Sequence, residues 1–207
     1  MKLIRALAAA AAVATLPLAA PVAFAQDVTV PSGAYKLDPT HASITWKVSH
    51  MGLSSYTARF TQFDIQLNLD TENPTASTVS ATIDPTSVRT DFPGQKDFDG
   101  EISGSDKLLN AGSHPQITFA SKSVTMTGDN TAEIVGDLTM LGVTQEVTLS
   151  AVLNGALPEH PFAKVPAVGF SATGTLDRTA FGMDFLAPQV VGPEVQVAIE
   201  AEFLKAN

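Results

Sequence analysis

The stretch Ile44-Thr45-Trp46-Lys47-Val48-Ser49-His50 decides the fold class. Successive side chains of an extended chain point to opposite faces, so Ile44, Trp46, Val48 and His50 share one side and Thr45, Lys47 and Ser49 the other. A strand with one apolar face has to bury that face against another element. The same period of two recurs downstream. Phe63, Ile65, Leu67 and Leu69 align, as do Val79, Ala81 and Ile83, then Ile117 and Phe119, then Ile134, Leu138 and Met140. Val147, Leu149, Ala151 and Leu153 follow, then Val168, Phe170, Ala172 and Leu176, and last Val195, Val197, Ile199, Ala201 and Phe203. Turn residues at Asn73-Pro74, Gly128-Asp129-Asn130, Leu141-Gly142, Asn154-Gly155 and Gly192-Pro193 separate these runs. Eight antiparallel strands predict a sandwich or a closed barrel, and periodicity does not choose between them.

One long interruption lies between Pro85 and Pro115, where glycines stand among charges and Lys96 to Leu109 suits a short helix. This segment is expected to cover one end of the sheet, with Phe92 to Leu109 as a lid and Phe181 and Phe185 at the mouth. Pro158 to Pro166 reads as a loop. An eight-stranded barrel is just wide enough to be filled by side chains or to hold one slender ligand. Ala81, Gly136, Ala151, Ala172, Gly174 and Ala201 on the inward faces leave room beside Phe63, Phe119 and Phe170, and the same mixture suits a solid, tapered core.

The 207 residues are 44% hydrophobic and 16% charged, which supports a packed core and argues against disorder. With 12 Lys and Arg against 21 Asp and Glu, the net charge of -9 offers nucleic acid no electrostatic footing. The absence of cysteine excludes disulfides, thiol nucleophiles, iron–sulfur clusters and thiolate zinc sites. At the N-terminus, Lys2 and Arg5 precede an apolar run from Ala6 to Ala20, and Ala23-Phe24-Ala25 has the small-x-small pattern of a signal-peptidase site. Residues 1–25 are therefore expected to be a cleaved signal peptide and 26–207 the mature domain. The run is broken by Pro17 and Pro21 and falls short of the roughly 20 apolar residues of a membrane span.

No phosphate loop, nucleophile elbow, paired-histidine zinc helix or calcium loop occurs in the mature chain, so no catalytic residue, metal ligand or cofactor is expected. His41, His50, His114 and His160 are not spaced to put two ligands on one element. His50 follows the apolar parity of its strand, which suits one polar contact to a ligand head or, more commonly, a hydrogen-bonded core or rim histidine. Asp97, Asp99, Glu101 and Asp106 read as solvated charge, with paired-carboxylate chemistry the weaker alternative.

Seven local strings resemble the YceI family. In order they are Tyr35-Lys36-Leu37-Asp38-Pro39-Thr40-His41-Ala42-Ser43-Ile44, Val48-Ser49-His50-Met51-Gly52-Leu53-Ser54, Phe60-Thr61-Gln62-Phe63-Asp64 and His114-Pro115-Gln116-Ile117-Thr118-Phe119. Gly136-Asp137-Leu138-Thr139-Met140-Leu141-Gly142-Val143-Thr144, Val168-Gly169-Phe170-Ser171-Ala172-Thr173-Gly174 and Arg178-Thr179-Ala180-Phe181-Gly182 complete the set. Two departures stand out: the Asp97 to Leu109 segment lacks a histidine that many members carry, and Leu141 stands where members often have a polar residue.

The resemblance implies an all-β, lipocalin-like, eight-stranded antiparallel up-and-down barrel with a short helical lid between its third and fourth strands. It further implies an exported periplasmic binding protein whose partner is a long-chain lipid such as a polyisoprenoid, an isoprenoid quinone or a fatty-acyl derivative. The wall positions then expected to touch ligand are Trp46, Val48, Phe63, Ile65, Phe119, Leu138, Phe170 and Ala172, with His50 as polar contact and Phe181 and Phe185 at the mouth. A homodimer and transient contact with a membrane or membrane protein are compatible with that reading. The alternatives are a filled-barrel structural or stress-response protein and, more weakly, an isoprenoid-processing enzyme.

Overall fold

The computed structural model describes residues 30–206; the expected signal peptide and residues 26–29 and 207 of the expected mature domain lie outside the described residues. The chain forms β1 (Gly33–His50), β2 (Ser54–Phe60), β3 (Phe63–Leu69), β4 (Thr78–Ile83), β5 (Val88–Thr90), α1 (Phe98–Gly104), β6 (Ile117–Met126), β7 (Thr131–Met140), β8 (Val143–Leu157), β9 (Ala167–Asp177) and β10 (Val191–Lys205). Every pairing is antiparallel, and β1 closes the sheet by pairing with β10.

Ten segments make eight ring positions. The first half of β1 pairs with β3 and its second half with β2, so β2 and β3 are two halves of one strand broken at Thr61-Gln62. β4 and β5 are likewise two halves, since β4 pairs with β3 and β5 with β2. The breaks are matched: Thr61 donates its N–H to the Ser87 carbonyl at 3.1 Å and Asp84 donates to the Gln62 carbonyl at 3.0 Å. The result is an up-and-down barrel in which each of the eight alternating runs read from the sequence occupies one ring position. The sequence reading missed the first half of β1, β2 and β5.

β5 pairs on one side only, and an unpaired edge invites unwanted association. Here α1 covers it. Asp97 caps the helix, accepting from Gly100 N–H at 2.9 Å, while Asp99 reaches back to accept from the N–H and hydroxyl of Thr90 at 2.9 and 2.7 Å. Two of the four acidic residues in this segment thus have structural work, and a third, Glu101, pairs with Lys96.

Small inward residues do two different things. The ring of Phe119 lies over Gly136, where an added Cβ would come within 2.4 Å of it and 2.6 Å of the Ala120 carbonyl. Gly136 therefore seats an aromatic ring and does not widen the interior, contrary to the reading above. Ala81, Ala151, Ala172, Gly174 and Ala201 do border the internal space. The two tight hairpins at one end of the barrel use positive φ at Met51 and Gly52 and at Leu141 and Gly142.

One turn design appears three times. Asp38, Asp84 and Asp177 each accept from the N–H and the hydroxyl of the threonine two residues on, at 2.8–2.9 and 2.6 Å. The first instance holds the bulge between Leu37 and Ala42 on β1, where the other carboxylate oxygen of Asp38 meets His41 Nδ1 at 2.9 Å. The Thr40 hydroxyl, then His41, pull the Asp38 carboxyl down to about 2, and Asp38 in turn raises the His41 imidazole. Asp38 contributes stability above its ordinary value of 3.8 that is lost as pH falls through about 2. The His41 contribution has the opposite sign: it is complete below the ordinary 6.5 and lost as pH rises through the raised folded value. In an NMR titration His41 should protonate above its ordinary midpoint, and Asp38→Asn should bring it back; an unchanged midpoint in that variant contradicts the pairing.

Candidate functional site

The interior is hollow. A single cavity of about 940 Å³ runs the length of the barrel. On β7 both Ala132 and Met140 border it, eight residue steps apart or about 27 Å along the strand, which a tilt of about 40° reduces to about 20 Å along the axis. The middle of the wall is apolar, with Trp46, Ile65, Ala81, Phe119, Leu138, Leu149, Phe170, Ala172 and Ile199. Its volume lies near the top of the range for small-molecule pockets.

The two ends differ. At one, His50, Ser54, Tyr56 and the α1 segment through Phe92, Lys96, Phe98 and Ile102 border the space. At the other, Asp70, Thr71, Pro74, Asn130 and Thr131 do so. The lid segment is an aromatic stack: Phe98 meets Tyr56 edge-on at 5.9 Å and Phe92 at 5.1 Å, and Lys96 Nζ lies 5.7 Å from the Phe98 ring centre.

Of the eleven residues expected to touch a ligand, the structure brings nine to the cavity wall: Trp46, Val48, His50, Ile65, Phe119, Leu138, Phe170, Ala172 and Phe185. His50 stands exposed at the rim. Phe63 and Phe181 are placed elsewhere. Phe63 follows the break at Thr61-Gln62, opposite the β1 bulge, and packs against the core around Tyr35 and Phe203; it borders a smaller cleft with Leu37, Pro39 and Arg59. Phe181 ends the turn Arg178–Phe181 and is 2% exposed, locked among Leu109, Ile117 and Met140.

Arg178, beside Phe181 in sequence, is 3% exposed and borders the cavity. Its guanidinium donates to the carbonyls of Gly192, Met183, Phe185 and Val191 at 2.7–3.1 Å, which ties the segment before β10 to the end of β9. Burial lowers its pKa. Asp177 and Asp184 act the other way and favour the charge, and the four carbonyls anchor it, since each bond to a charged donor contributes about 1.5–3 kcal/mol. No spacing in the sequence announced this role.

Sequence reasoning also missed Tyr56. Its signal was present in the alternation Tyr56, Ala58, Phe60 against Ser55, Thr57 and Arg59, which places it on the apolar face of β2. Tyr56 Oη and Trp46 Nε1 are both shielded from solvent and have no hydrogen-bond partner among the described residues. An unmet buried donor costs about 1–3 kcal/mol.

The described residues that combine metal-ligand chemistry within reach of one another are Asp38, His41 and Glu202. They lie on the outer side of the β1 bulge, where the hydrogen bonds already described account for Asp38 and His41.

Comparison with known proteins agrees with this architecture. A YceI-like domain model matches residues 35–203. A UPF0312 protein of Pseudomonas putida strain F1 is 35% identical over 173 residues, covering 83% of this chain and 86% of its own. A second UPF0312 protein, from Ectopseudomonas mendocina strain ymp, is 39% identical over 141 residues, 68% of this chain and 71% of its own. Among solved structures, BcnA of Burkholderia cenocepacia superposes with a TM-score of 0.68 at 23% identity, over 80% of this chain and 98% of its own. A polyisoprenoid binding domain from Saccharophagus degradans, implicated in plant cell wall breakdown, gives 0.61 at 15% identity, over 84% and 99%. At those identities the two structures speak for the fold. From the family model and these two relatives together, the chain belongs to the YceI-like domain family.

Proposed function

We propose that this protein is an exported, periplasmic carrier that holds one long-chain apolar lipid inside its barrel and performs no covalent chemistry on it. The lipid classes that suit the cavity are polyisoprenoids, isoprenoid quinones and fatty-acyl derivatives. The observation that carries the reading is the continuous apolar cavity of about 940 Å³, since a filled-barrel structural protein has no use for it. The polyisoprenoid binding of the Saccharophagus degradans domain, which shares the fold, supports the same class of ligand.

The energetics favour long chains. Each buried CH2 contributes about 0.8 kcal/mol, so ten contribute about 8 kcal/mol. Association costs an estimated 4–15 kcal/mol, and short chains therefore bind poorly. Relative to a bilayer the exchange is nearly neutral, because the chain passes between two apolar media, and that suits a carrier that both loads and releases. The enzymatic alternative draws no support from the lid carboxylates, three of which are engaged with the helix cap, Thr90 and Lys96.

Loading is assigned to the lid end, where Met51, Leu53, Phe92, Phe185 and Leu186 are exposed hydrophobics around the mouth. Leu53, 83% exposed in the β1–β2 turn, is the most exposed of these five and the candidate for contact with a membrane. On this account Leu53→Asp reduces flotation of the protein with phosphatidylcholine vesicles, and undiminished flotation removes the assignment.

Mass spectrometry of protein gently isolated from its native envelope tests the carrier reading directly. One intact long-chain lipid per chain is expected. Ala172→Asp puts an unpaired carboxylate against the chain at mid-barrel and should weaken binding roughly a hundredfold or more. Circular dichroism checks that the variant is folded; a folded variant that keeps its lipid overturns the assigned wall.

A further inference from the structure

We propose that Trp46 Nε1 and Tyr56 Oη form the polar end of the ligand site and receive an uncharged oxygen acceptor, in the simplest case a carbonyl, at the head of the apolar chain. The inference rests on the carrier reading above and adds a head-group class to it.

Register puts the two residues together. Trp46 lies opposite Ala58 and Val48 opposite Tyr56, so Trp46 and Tyr56 are diagonal neighbours on the inward face, at a spacing of about 7–8 Å. Both border the cavity. The indole N–H is a donor only, and the phenol supplies a second donor. In this conformation each atom has almost no surface open to solvent or to the cavity and is unpaired among the described residues, so a ligand oxygen meets it only once the side chain turns, and that turn breaks no hydrogen bond. A carbonyl oxygen has two lone pairs and can accept from both.

The surroundings select a neutral head. An anion buried here would need a free cation, and the lysine and arginine that border the cavity are engaged, Arg178 with four backbone carbonyls and Lys96 with Glu101, which leaves only His50, exposed at the rim. A plain hydrocarbon fits the wall and leaves both donors unmet. The site lies under the lid, with Phe98 edge-on to Tyr56. A ligand seated this way has its head below α1 and its tail along Ile65 and Phe170 toward the opposite end.

Three probes of matched chain length separate these cases: octadecane, methyl stearate and stearate, each titrated to displace diphenylhexatriene from the wild type, Tyr56→Phe and Trp46→Phe. In each variant methyl stearate should lose about tenfold more affinity than octadecane does, equivalent to about 1.4 kcal/mol, the octadecane value registering any change in the wall itself. Trp46 is the single tryptophan, so its indole N–H resonance is unambiguous and should move downfield with methyl stearate and not with octadecane. Octadecane and methyl stearate binding alike, with neither sensitive to the variants, overturns the head-group site and leaves the carrier reading standing. Stearate binding most tightly with the same sensitivity overturns the neutral class. Failure of all three to displace the probe from the wild type removes the carrier reading and this inference with it.

Discussion

The pairing of β1 with β10 turns a meander into a container. From Tyr35 opposite Lys205 to His50 opposite Val191, the first and last strands of the domain meet along nearly their full length. Without that seam the sheet would have two long open edges and its apolar face would have to collapse on itself or on another molecule. With it, eight strands enclose a space whose diameter is set by strand number and tilt and not by how well the side chains interlock. The seam is also where the structure spends its local devices. The bulge between Leu37 and Ala42, pinned by Asp38, Thr40 and His41, lets β1 keep inward residues on the same face before and after it. Arg178 fastens the other end, tying the approach to β10 onto the end of β9.

Closure alone leaves open whether the space is used. Ala81, Ala151, Ala172, Gly174 and Ala201 keep the middle of the barrel thin-walled, and the large side chains concentrate in two packed clusters. One gathers around Tyr35, Val168 and Phe203; the other lies around Ile102, Ile117, Met140 and Phe181, beside the lid. These clusters supply the dense packing that stabilises the barrel, and the space between them remains empty of side chains. Some residues do both, since Ile65, Met140 and Phe203 belong to the packed clusters and also border the cavity, whereas Ala172 borders the cavity and belongs to neither cluster.

Much of this was legible in the sequence for a simple reason. A strand with one buried face writes its orientation into every second residue, so Trp46, Val48, Ile65, Phe119, Leu138, Phe170 and Ala172 could be placed on the wall from parity alone. Parity fails where the strand breaks: Phe63 has the right alternation and lies beyond the Thr61-Gln62 break, against the core and a separate cleft. Phe181 was assigned to the mouth from position, yet a short helical turn rotates it into the packed cluster. The choice between a filled and a hollow barrel was illegible, because it depends on the sum of volumes across eight strands: Gly136 makes way for Phe119 while Gly174 borders the cavity. The pairing of Trp46 with Tyr56 was hidden too, since it needs the register of β1 against β2.

The carrier proposal requires the barrel to select an apolar chain by length, and the dissociation constant of an n-alkyl methyl ester series measured against chain length reads that selection out. Affinity should rise about fourfold per added CH2, as about 0.8 kcal/mol per group requires, and level off once the extended chain fills the roughly 20 Å of barrel axis. Affinity independent of chain length across the series would contradict it.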